Sequence, residues 1–447
     1  MARRISATVG ICLLSWPLLL GAEPLSLGQA QQRAQSASGA LQANVYELQA
    51  WQERASATQW LRAPRVTWSA TGLAYEKTID VQYQGAALLP GMTQLAVDEV
   101  IAQQGVRSQL AVQLPVYTGG RISATQQQAA ARVTQAEAEH ALAMEQVERR
   151  VIDRYFDVQL ARELERIRWE TQNVLAGHRH RAERFEQEGM VSRLQAMQAH
   201  VAHDQSMRQW RAAQQQRFDA ESALMSLLGT TELSCLTTPL QVVKVSDLSD
   251  PGDRAHPAMQ ALLAAERQAV AQVTVERSAR KPEVFAFGVA ELNRSMAALN
   301  DPDWAVGVGM QWQLSSGVNR RALAQAAEAQ ASQTRALQAQ TQQDLMLARA
   351  VGQGRFEHSI EALHWLTSDL ALTEENARLQ EAAFAAGQAT SLDVTDAWLQ
   401  VAVGRLEKAQ LQHQHLNALA DWLQAQGALA DLDSVLMTSS TSLCEER

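Results

Sequence analysis

The sequence has few cysteines and prolines and no long apolar run, and each shortage limits what the protein can be. Its 447 residues include 3 cysteines and 10 prolines. Without a cysteine cluster, the chain is neither a disulfide scaffold nor a Cys-rich metal protein. Beyond the N-terminal segment no apolar run approaches about 20 residues, so no transmembrane helix is predicted. Insertion into a membrane would therefore have to use β-strands, whose alternating pattern is much weaker.

The sequence also lacks the motifs of the common catalytic sites. It has no phosphate-binding glycine loop and no Ser/His/Asp set in a strand–turn–helix context. Several histidines suggest metal binding, since His200 and His203 lie three residues apart, but neither cysteines nor acidic residues cluster with them. We therefore predict no enzymatic activity, no metal site and no cofactor. The histidines considered are His178, His180, His200, His203, His413 and His415.

Charge and the N-terminus indicate an exported protein that does not bind duplex nucleic acid. The chain has 39 Lys and Arg against 48 Asp and Glu, a net charge of −9. This acidic balance disfavours contact with a phosphate backbone. Arg3 and Arg4 precede an apolar run over 9–20 and a small-residue cleavage site. The pattern is that of a secretory signal peptide over residues 1–22.

Two cysteines remain in the exported chain, Cys235 and Cys444. In an oxidising compartment they could form a disulfide that ties the middle of the chain to its C-terminus. Two unpaired thiols in loops are an equally good interpretation. Titration of free thiols in the unfolded, unreduced protein distinguishes the two.

The proline positions predict where long helices run. No proline lies between 116 and 238 or after 302, and a proline in a helix interior costs about 3 kcal/mol. Both proline-free regions are rich in Ala, Gln, Leu, Glu and Arg, which favour helices. A shorter helix is expected from Leu25 to about Leu61, with Ser26 as its N-cap.

Two pairs of alternating segments predict β-hairpins. The first pair lies at 66–71 and 109–116, joined by a long polar loop, and the second lies at 285–289 and 306–314. In the last segment Val, Met, Trp and Leu alternate with Gly and Gln, so one face is strongly apolar. A strand of a soluble sandwich would also alternate, but Gly and Gln suit a water-filled lumen better than a packed core.

Glycines at a constant spacing indicate a tandem repeat. The pairs Gly119 and Gly317 (317 − 119 = 198), Gly189 and Gly387, and Gly229 and Gly427 all have the same separation. Constant spacing through helices, with an insertion confined to a hairpin loop, is expected of a duplicated architecture. The predicted organisation is a signal peptide (1–22), a first repeat (23–238), a linker (239–255), a second repeat (256–430) and a C-terminal tail (431–447).

Four strands per chain determine the assembly that a membrane would require. Four strands cannot close a barrel, and open sheet edges are not tolerated in lipid. Several chains would have to share one barrel, and three chains would supply twelve strands, within the range of bacterial barrels. Trp68, Trp304 and Trp312 could form the aromatic belt at the membrane boundary.

The chain resembles the TolC family of outer-membrane channels. The resemblance rests on the duplicated plan, the junction at 114–121, two tips of the pattern Gly-x-x-(Ser/Thr)-x-Leu at 189–194 and 387–392, and His256-Pro257. It implies a mixed, mainly α fold in which each chain gives four strands to a trimeric outer-membrane β-barrel. A long periplasmic α-helical barrel would continue from it.

The same resemblance implies a function and partners. It predicts a passive exit duct of a tripartite efflux pump or a type I secretion system, gated at its periplasmic tip. The location would be the Gram-negative outer membrane, with most of the chain in the periplasm. The partners would be two further copies of the chain, outer-membrane lipid, a periplasmic adaptor and an inner-membrane RND or ABC transporter. A periplasmic coiled-coil adaptor or structural spacer is the alternative, and dependence on detergent distinguishes the two.

The second tip carries the candidate aperture. Asp393 and Asp396 are three residues apart and so share one helix face. Alone, such a pair is most often a solvated helix surface, but around a threefold axis it becomes a ring of six carboxylates that attracts cations. The resemblance assigns the narrow periplasmic aperture to acidic residues at these positions. Crowding of like charges is expected to raise some of their pKa values.

Both tips depart from the family pattern at specific positions. Gln195 and Gln198 stand where the second repeat has the two aspartates. Phe384 and Ala389 stand where some family members have a tyrosine and an arginine that hold the aperture closed. Neither side chain can form those hydrogen bonds, so a closed state must be held differently.

The two tips are predicted to be tight helix–helix turns, with glycines supplying positive φ. Turn geometry alone would explain these glycines. The resemblance makes the turns contacts for the adaptor as well. The residues assigned to this contact are Gly189, Met190, Val191, Ser192, Gly387, Gln388, Ala389 and Thr390.

Overall fold

The computed structural model describes residues 24–89, 92–233, 235–244, 255–292, 303–315 and 317–437. The predicted signal peptide, Cys444 and most of the predicted linker lie outside these residues. Cys235 is disulfide-bonded. Its pairing with Cys444 stays a prediction.

Helices dominate the described chain, and one sheet completes it, so the predicted mainly α fold class is confirmed. The helices are α1 (Leu27–Ala37), α2 (Gly39–Gln59), α3 (Arg121–Gln187), α4 (Arg193–Leu228), α5 (Pro257–Ser278), α6 (Arg320–Ala385), α7 (Ser391–Ala425) and α8 (Leu432–Met437). The strands are β1 (Arg65–Leu89), β2 (Met92–Tyr117), β3 (Glu283–Glu291) and β4 (Trp304–Gln311). Within the described ranges, no helix combines the length and the apolar character needed to cross a membrane.

The proline-free regions form the longest helices, as predicted. α3 has 67 residues and α6 has 66, and neither is interrupted by its internal glycines. Ser26 caps α1 through a capping box, in which its hydroxyl accepts a hydrogen bond from the Gln29 amide. The single helix expected from Leu25 to about Leu61 is divided at Ser38, whose extended backbone separates α1 from α2.

The described residues fall into two compact units. The first unit takes the described residues within Met1–Gln42, Leu142–His256 and Gln343–Arg447, and the second takes those within Ala43–Ala141 and Pro257–Gln342. The helix turns that carry the candidate aperture belong to the first unit. The sheet belongs to the second.

The core of the first unit surrounds Tyr155 and Phe156 of α3, which are fully buried. The Tyr155 hydroxyl donates to the carbonyl oxygen of Leu25 (2.9 Å) and accepts from the amide of Thr238 (3.0 Å). Leu25 also forms a parallel β-bridge with Leu236. One buried hydroxyl therefore joins the start of the described chain to the end of the first predicted repeat.

The second unit contains an antiparallel sheet in the order β1-β2-β3-β4. β1 and β2 pair along almost their whole length, from Arg65 with Gln113 to Leu89 with Met92. The prediction of a long loop in this hairpin is therefore wrong, because most of the residues assigned to the loop extend the two strands. Backbone hydrogen bonds across the pair stabilise a strand whatever its side chains, so polar residues did not mark a loop.

The second hairpin forms where the alternation predicted it. Phe285 and Phe287 of β3 lie opposite Gly309 and Gly307 of β4. A Cβ atom at Gly309 would lie 2.7 Å from the Phe285 ring, and one at Gly307 would lie 3.0 Å from the Phe287 ring. Close packing of the two rings explains both glycines, so these glycines do not by themselves indicate a water-filled lumen.

One face of the sheet is apolar and exposed. Directly paired residues lie on the same face, and one row across the four strands consists of Trp68, Leu110, Ala290 and Trp304. The two tryptophans at its ends are 66% and 67% exposed. The neighbouring row consists of Val66, Val112, Gly288 and Val306. A contiguous apolar face of this kind marks a surface that a membrane or another molecule covers.

The glycine pairs of the predicted repeat share one backbone conformation. The φ angles are +64° and +68° at Gly119 and Gly317, +75° and +74° at Gly189 and Gly387, and +66° and +69° at Gly229 and Gly427. All six lie in the left-handed region, which favours glycine. The agreement supports a duplicated architecture.

Candidate functional site

The two helix turns named by the sequence have the same geometry. After α3, the Met190 amide donates to the Phe185 carbonyl oxygen (2.7 Å), and after α6 the Gln388 amide donates to the Ala383 carbonyl oxygen (2.8 Å). A hydrogen bond of this kind around a left-handed glycine is a Schellman cap. No described atom lies within 4 Å of the Cβ position at either turn glycine. The backbone conformation, and not crowding, therefore requires glycine in both turns.

Each turn is followed by a capped helix. Ser192 caps α4 by accepting from the Gln195 amide (3.4 Å), and Thr390 caps α7 by accepting from the Asp393 amide (3.3 Å). The Asp393 carboxylate completes a capping box, because it accepts from the Thr390 amide (2.8 Å) and hydroxyl (2.7 Å). Sequence reasoning assigned Asp393 to the aperture alone and missed this local role in starting α7.

The capping box changes the electrostatics of Asp393. Its pKa is lowered, because the Thr390 hydroxyl and amide donate to the ionised carboxylate. In the single chain this carboxylate is fully exposed, and the rise in pKa expected from crowded like charges in a ring stays a prediction for an assembly of several copies. Such a rise would need carboxylates from other copies.

Asp396 is exposed and lies at a groove between α6 and α7. The groove has a volume of about 460 Å³, and Asp369 and Glu407 line it together with Asp396. Gln195 and Gln198, the counterparts of the aspartates in the first repeat, are partly buried on α4. Of the four candidate aperture positions on these helices, the two acidic ones are thus the most exposed.

Phe384 lies inside the protein and not on its surface. Its side chain is 2% exposed and belongs to a cluster that we call the tip cluster, formed by Ala182, Ala199, Phe384 and Val394. The ring centre lies 4.9 Å from that of His178 and 5.6 Å from that of Phe185. In the single chain this residue therefore acts through packing.

Polar contacts join α3 to the second helix pair close to the turns. His178 Nε2 lies 2.8 Å from Ser391 Oγ, and both side chains are buried. Arg181 forms an ion pair with Glu381 of α6. These pairs are 213 and 200 residues apart in sequence, and no local pattern indicates them.

A third contact lies further from the turns. Arg405 of α7 bonds both Glu374 of α6 (2.8 Å) and Glu170 of α3 (3.0 Å). One guanidinium therefore ties three helices together. Because the three side chains are only partly exposed, the pairing is less screened than on an open surface.

His178 is held in its neutral form. Burial lowers its pKa, and the Arg181 guanidinium lowers it further, against the opposing effects of Ser391 and Glu381. Its Nδ1 has no hydrogen-bond partner among the described residues. A second ring proton would therefore meet no acceptor at this site.

The histidines considered as metal ligands have other contacts. His200 Nε2 lies 2.9 Å from Glu183, His413 Nε2 lies 3.1 Å from Asp157, and His415 is buried. Throughout the part of the chain that the structure describes, no group of three or more His, Cys, Asp or Glu residues is arranged to hold a metal ion.

Residues 254–430 match the family of outer membrane efflux proteins. No curated protein matches the chain in sequence. The match covers the second predicted repeat, including its hairpin and its tip.

Solved structures with the same fold include several outer-membrane channels. The outer-membrane channel OprN has a TM-score of 0.74 and 19% identity over 90% of each chain. The outer membrane protein VceC of Vibrio cholerae has a TM-score of 0.73 and 18% identity, over 90% of this chain and 96% of that one. The MtrE channel of Neisseria gonorrhoeae, in its open state, has a TM-score of 0.70 and 18% identity, over 90% of this chain and 89% of that one. At these identities the likeness establishes the fold.

Proposed function

We propose that this chain is an outer-membrane channel and the passive exit duct of a tripartite export system. Its residues 254–430 match the family of outer membrane efflux proteins. The observation that carries the proposal is the exposed apolar face of the four-stranded sheet, which lipid would cover. The fold shared with solved outer-membrane channels supports a location in the Gram-negative outer membrane, with most of the chain in the periplasm. A drug efflux pump and a type I secretion system would both use such a duct.

The edges of the sheet support a homotrimer. In the described sheet β1 and β4 are the edge strands. Lipid cannot satisfy the outward N–H and C=O groups of an edge strand. Pairing β1 of one copy with β4 of the next would satisfy both edges, and three copies would close a barrel of twelve strands.

A channel of this kind needs partners that deliver its cargo. We propose a periplasmic adaptor that contacts the two helix turns and an inner-membrane RND or ABC transporter linked to it. The turns suit this contact because they expose Met190 (57%) at the first turn and leave open space around both turn glycines.

Replacing Gly387 with valine is expected to abolish capture of the adaptor while the trimer persists. The φ of +74° is strained for any β-branched side chain, so the turn must change shape. The measurement is pull-down of a periplasmic adaptor protein with the purified chain, with size-exclusion chromatography of the trimer. Gly354→Val is the matched control, because Gly354 also has no described atom within 4 Å but has no positive φ. Equal capture by both variants would remove the turn from the contact.

We further propose that the tip is a gate. The exposed Asp393 and Asp396 would form its carboxylate ring around the threefold axis. The closed form would be held by the pairs His178–Ser391 and Arg181–Glu381, in place of the bonds that Phe384 and Ala389 cannot make.

Converting both aspartates to asparagine is expected to remove the cation preference of the channel. Asparagine keeps the size and the hydrogen-bonding oxygen of aspartate and loses only its charge, so α7 can still be capped. The measurement is the ratio of cation to anion permeability of Asp393→Asn/Asp396→Asn protein in planar lipid bilayers, which should fall towards one.

The first repeat supplies the converse variant. Gln195→Asp/Gln198→Asp places carboxylates at the corresponding positions and should increase the cation preference. An unchanged permeability ratio in both double variants would contradict the carboxylate ring. A protein that gives no conductance even after His178 and Arg181 are both replaced with alanine would contradict the channel itself.

A further inference from the structure

Basic side chains line two adjoining cavities where the sheet of the second unit meets its helices. The first cavity, of about 400 Å³, is lined by Arg280, Arg320 and Arg321 together with the residues that follow β4. The second, of about 590 Å³, adds Arg277 and Lys281 and again includes Arg280 and Arg321. We call these five basic residues the basic groove. Both volumes lie in the range of about 300 to 1,000 Å³ that sites for small ligands occupy.

The basic groove has more positive charge than its described neighbours neutralise. Glu328 is the one carboxylate among the described residues that line the two cavities, and it pairs with Arg277 (2.7 Å). Lys281 donates to a backbone carbonyl oxygen (3.2 Å), which leaves its charge uncompensated. Arg280 and Arg321 are exposed, and neither forms an ion pair with a described residue. An anion in this groove would therefore find several cations ready to donate hydrogen bonds to it.

The start of α6 favours the same kind of ligand. Arg320 and Arg321 are the first two residues of this helix, and its first turn has no acidic residue. The N-terminal end of a helix carries a partial positive charge, so two cations there are unfavourable without a counter-ion. The helix cap does not need them, because Asn319 Oδ1 accepts from the amides of Arg321 and Ala322 (3.1 Å each). A bound anion would offset this cost, whereas helix formation does not explain the two arginines.

One wall of the groove is apolar. Trp312, Leu314 and Val318 line the first cavity and are 55%, 80% and 59% exposed. The Trp312 ring is held at the groove, because its Nε1 donates to the carbonyl oxygen of Arg280 (3.2 Å). A small inorganic anion would leave this wall exposed to water. A ligand that joins an anionic group to hydrocarbon would cover both parts of the groove.

The groove lies at the end of the exposed apolar row of β4. The row consists of alternate residues that are between 55% and 74% exposed, namely Trp304, Val306, Val308, Met310 and Trp312. The eight steps from Trp304 to Trp312 (312 − 304 = 8) cover about 26 Å along the chain. With a strand tilt of about 40°, this is about 20 Å of depth, most of the apolar band of about 25 Å on membrane barrels. Trp312 therefore lies near one boundary of that band, where lipid headgroups begin.

We propose that the basic groove binds the phosphate headgroup of an anionic phospholipid in the leaflet that faces the periplasm. The guanidinium groups of Arg280 and Arg321 would donate paired hydrogen bonds to the phosphate oxygens. Trp312 and Leu314 would contact the first carbons of the acyl chains. The inference rests on the proposed outer-membrane channel and names a lipid that would fix the depth of its sheet in the membrane.

Calorimetric titration of the detergent-solubilised protein with short-chain lipids tests the site. The probes are dihexanoyl phosphatidylglycerol, dihexanoyl phosphatidylcholine and inorganic phosphate. Phosphatidylglycerol is expected to bind most tightly, because choline would bring a positive charge to the arginines and inorganic phosphate lacks the apolar part. Added salt should weaken this binding, since the contact is electrostatic. Inorganic phosphate that binds as tightly as phosphatidylglycerol would make the groove a site for a free anion and overturn the inference.

Replacing the two arginines measures their share of the affinity. A basic residue beside an anionic lipid surface contributes roughly fivefold in affinity, so Arg280→Gln/Arg321→Gln should bind phosphatidylglycerol about 30-fold more weakly. Arg208→Gln/Arg355→Gln is the matched control, because it removes the same charge from exposed positions of the first unit. Its affinity should equal that of the wild type. An equal loss in both double variants would show that net charge, and not the groove, attracts the lipid.

The apolar wall has its own test. Trp312→Ala should bind phosphatidylglycerol several-fold more weakly and should leave the affinity for inorganic phosphate unchanged, because only the lipid contacts the ring. Unchanged affinity for phosphatidylglycerol would remove the wall from the site and contradict a lipid ligand. Circular dichroism and size-exclusion chromatography of each variant check that its fold and assembly match those of the wild type.

The outcomes separate this inference from the channel proposal. A protein that conducts in planar bilayers but binds phosphatidylglycerol no better than phosphatidylcholine overturns only this inference. A protein that binds phosphatidylglycerol through the two arginines, but does not conduct even after His178 and Arg181 are both replaced with alanine, overturns the channel proposal and supports the headgroup site.

Discussion

Replacing Phe356 with alanine is expected to lower the free energy of unfolding by about 3 to 5 kcal/mol. Phe356 of α6 is fully buried, and its ring centre lies 4.8 Å from that of His415 and 5.6 Å from that of Trp422 on α7. Gly352, one turn earlier, already brings the two helices close, because a Cβ atom there would lie 2.9 Å from Trp422 Cα. The helices cannot approach much further, so the space left by the ring would remain a cavity.

Denaturant titration followed by circular dichroism measures this loss in the detergent-solubilised protein. Phe356→Leu should cost less than Phe356→Ala, because it leaves a smaller cavity. Phe218→Ala is the surface control, since Phe218 is 61% exposed, and its effect should stay within about 0.5 kcal/mol. If the two alanine variants were equally stable, the position of Phe356 in the core would be contradicted.

Acidification is expected to remove about 3 kcal/mol of stability through His415. This side chain is fully buried. Its Nε2 accepts from the Val243 amide (3.0 Å), and its Nδ1 lies 2.7 Å from Ser359 Oγ. Because Nε2 is an acceptor, the proton of the neutral ring lies on Nδ1. Burial lowers the pKa of His415 to about 4.

The direction of the effect follows from the two pKa values. In the unfolded chain a histidine has a pKa of about 6.5, so the unfolded state takes up a proton first as the pH falls. The stabilisation is therefore fully present above about pH 6.5 and is lost as the pH falls towards 4. A shift of about 2.5 units corresponds to about 3 kcal/mol.

A comparison with His415→Gln isolates this contribution. Burial also lowers the pKa of His178 and His256 and raises that of Glu148, so the pH profile of one protein mixes several groups. The difference in unfolding free energy between wild type and His415→Gln should narrow by about 3 kcal/mol from pH 7.5 to pH 4. For Leu175→Ala, which removes a buried apolar side chain, the difference should not depend on pH. A constant difference for His415→Gln would contradict its neutral buried state.

Local sequence signals predicted the parts of this protein that depend on neighbours along the chain. The glycine turns were predicted because only glycine adopts a φ near +75° without strain, and the long helices were predicted because proline is absent. The second hairpin was predicted from its alternation. Asp393 and Asp396 were placed on one exposed helix face by their spacing alone.

The sequence analysis missed contacts both close along the chain and far apart in it. The first hairpin was predicted with a long loop because its middle residues are polar. In the structure these residues pair through backbone hydrogen bonds between β1 and β2, which do not depend on the polarity of the side chains. Asp393 was predicted as a carboxylate of the aperture, and its capping box with Thr390, three residues away, was missed. The contact of Phe384 with His178, more than 200 residues away in sequence, had no local signal.

The sequence by itself therefore determined the long helices, the helix turns and the acidic face of α7. Only the tertiary structure decided which residues connect the helices: His178 with Ser391, Arg181 with Glu381, and Tyr155 with the segment at 235–244. The physical reason is the range of the interactions. Turns, caps and helix propensity depend on a few adjacent residues, whereas a buried hydrogen bond between residues some 200 positions apart exists only once the core has brought them together.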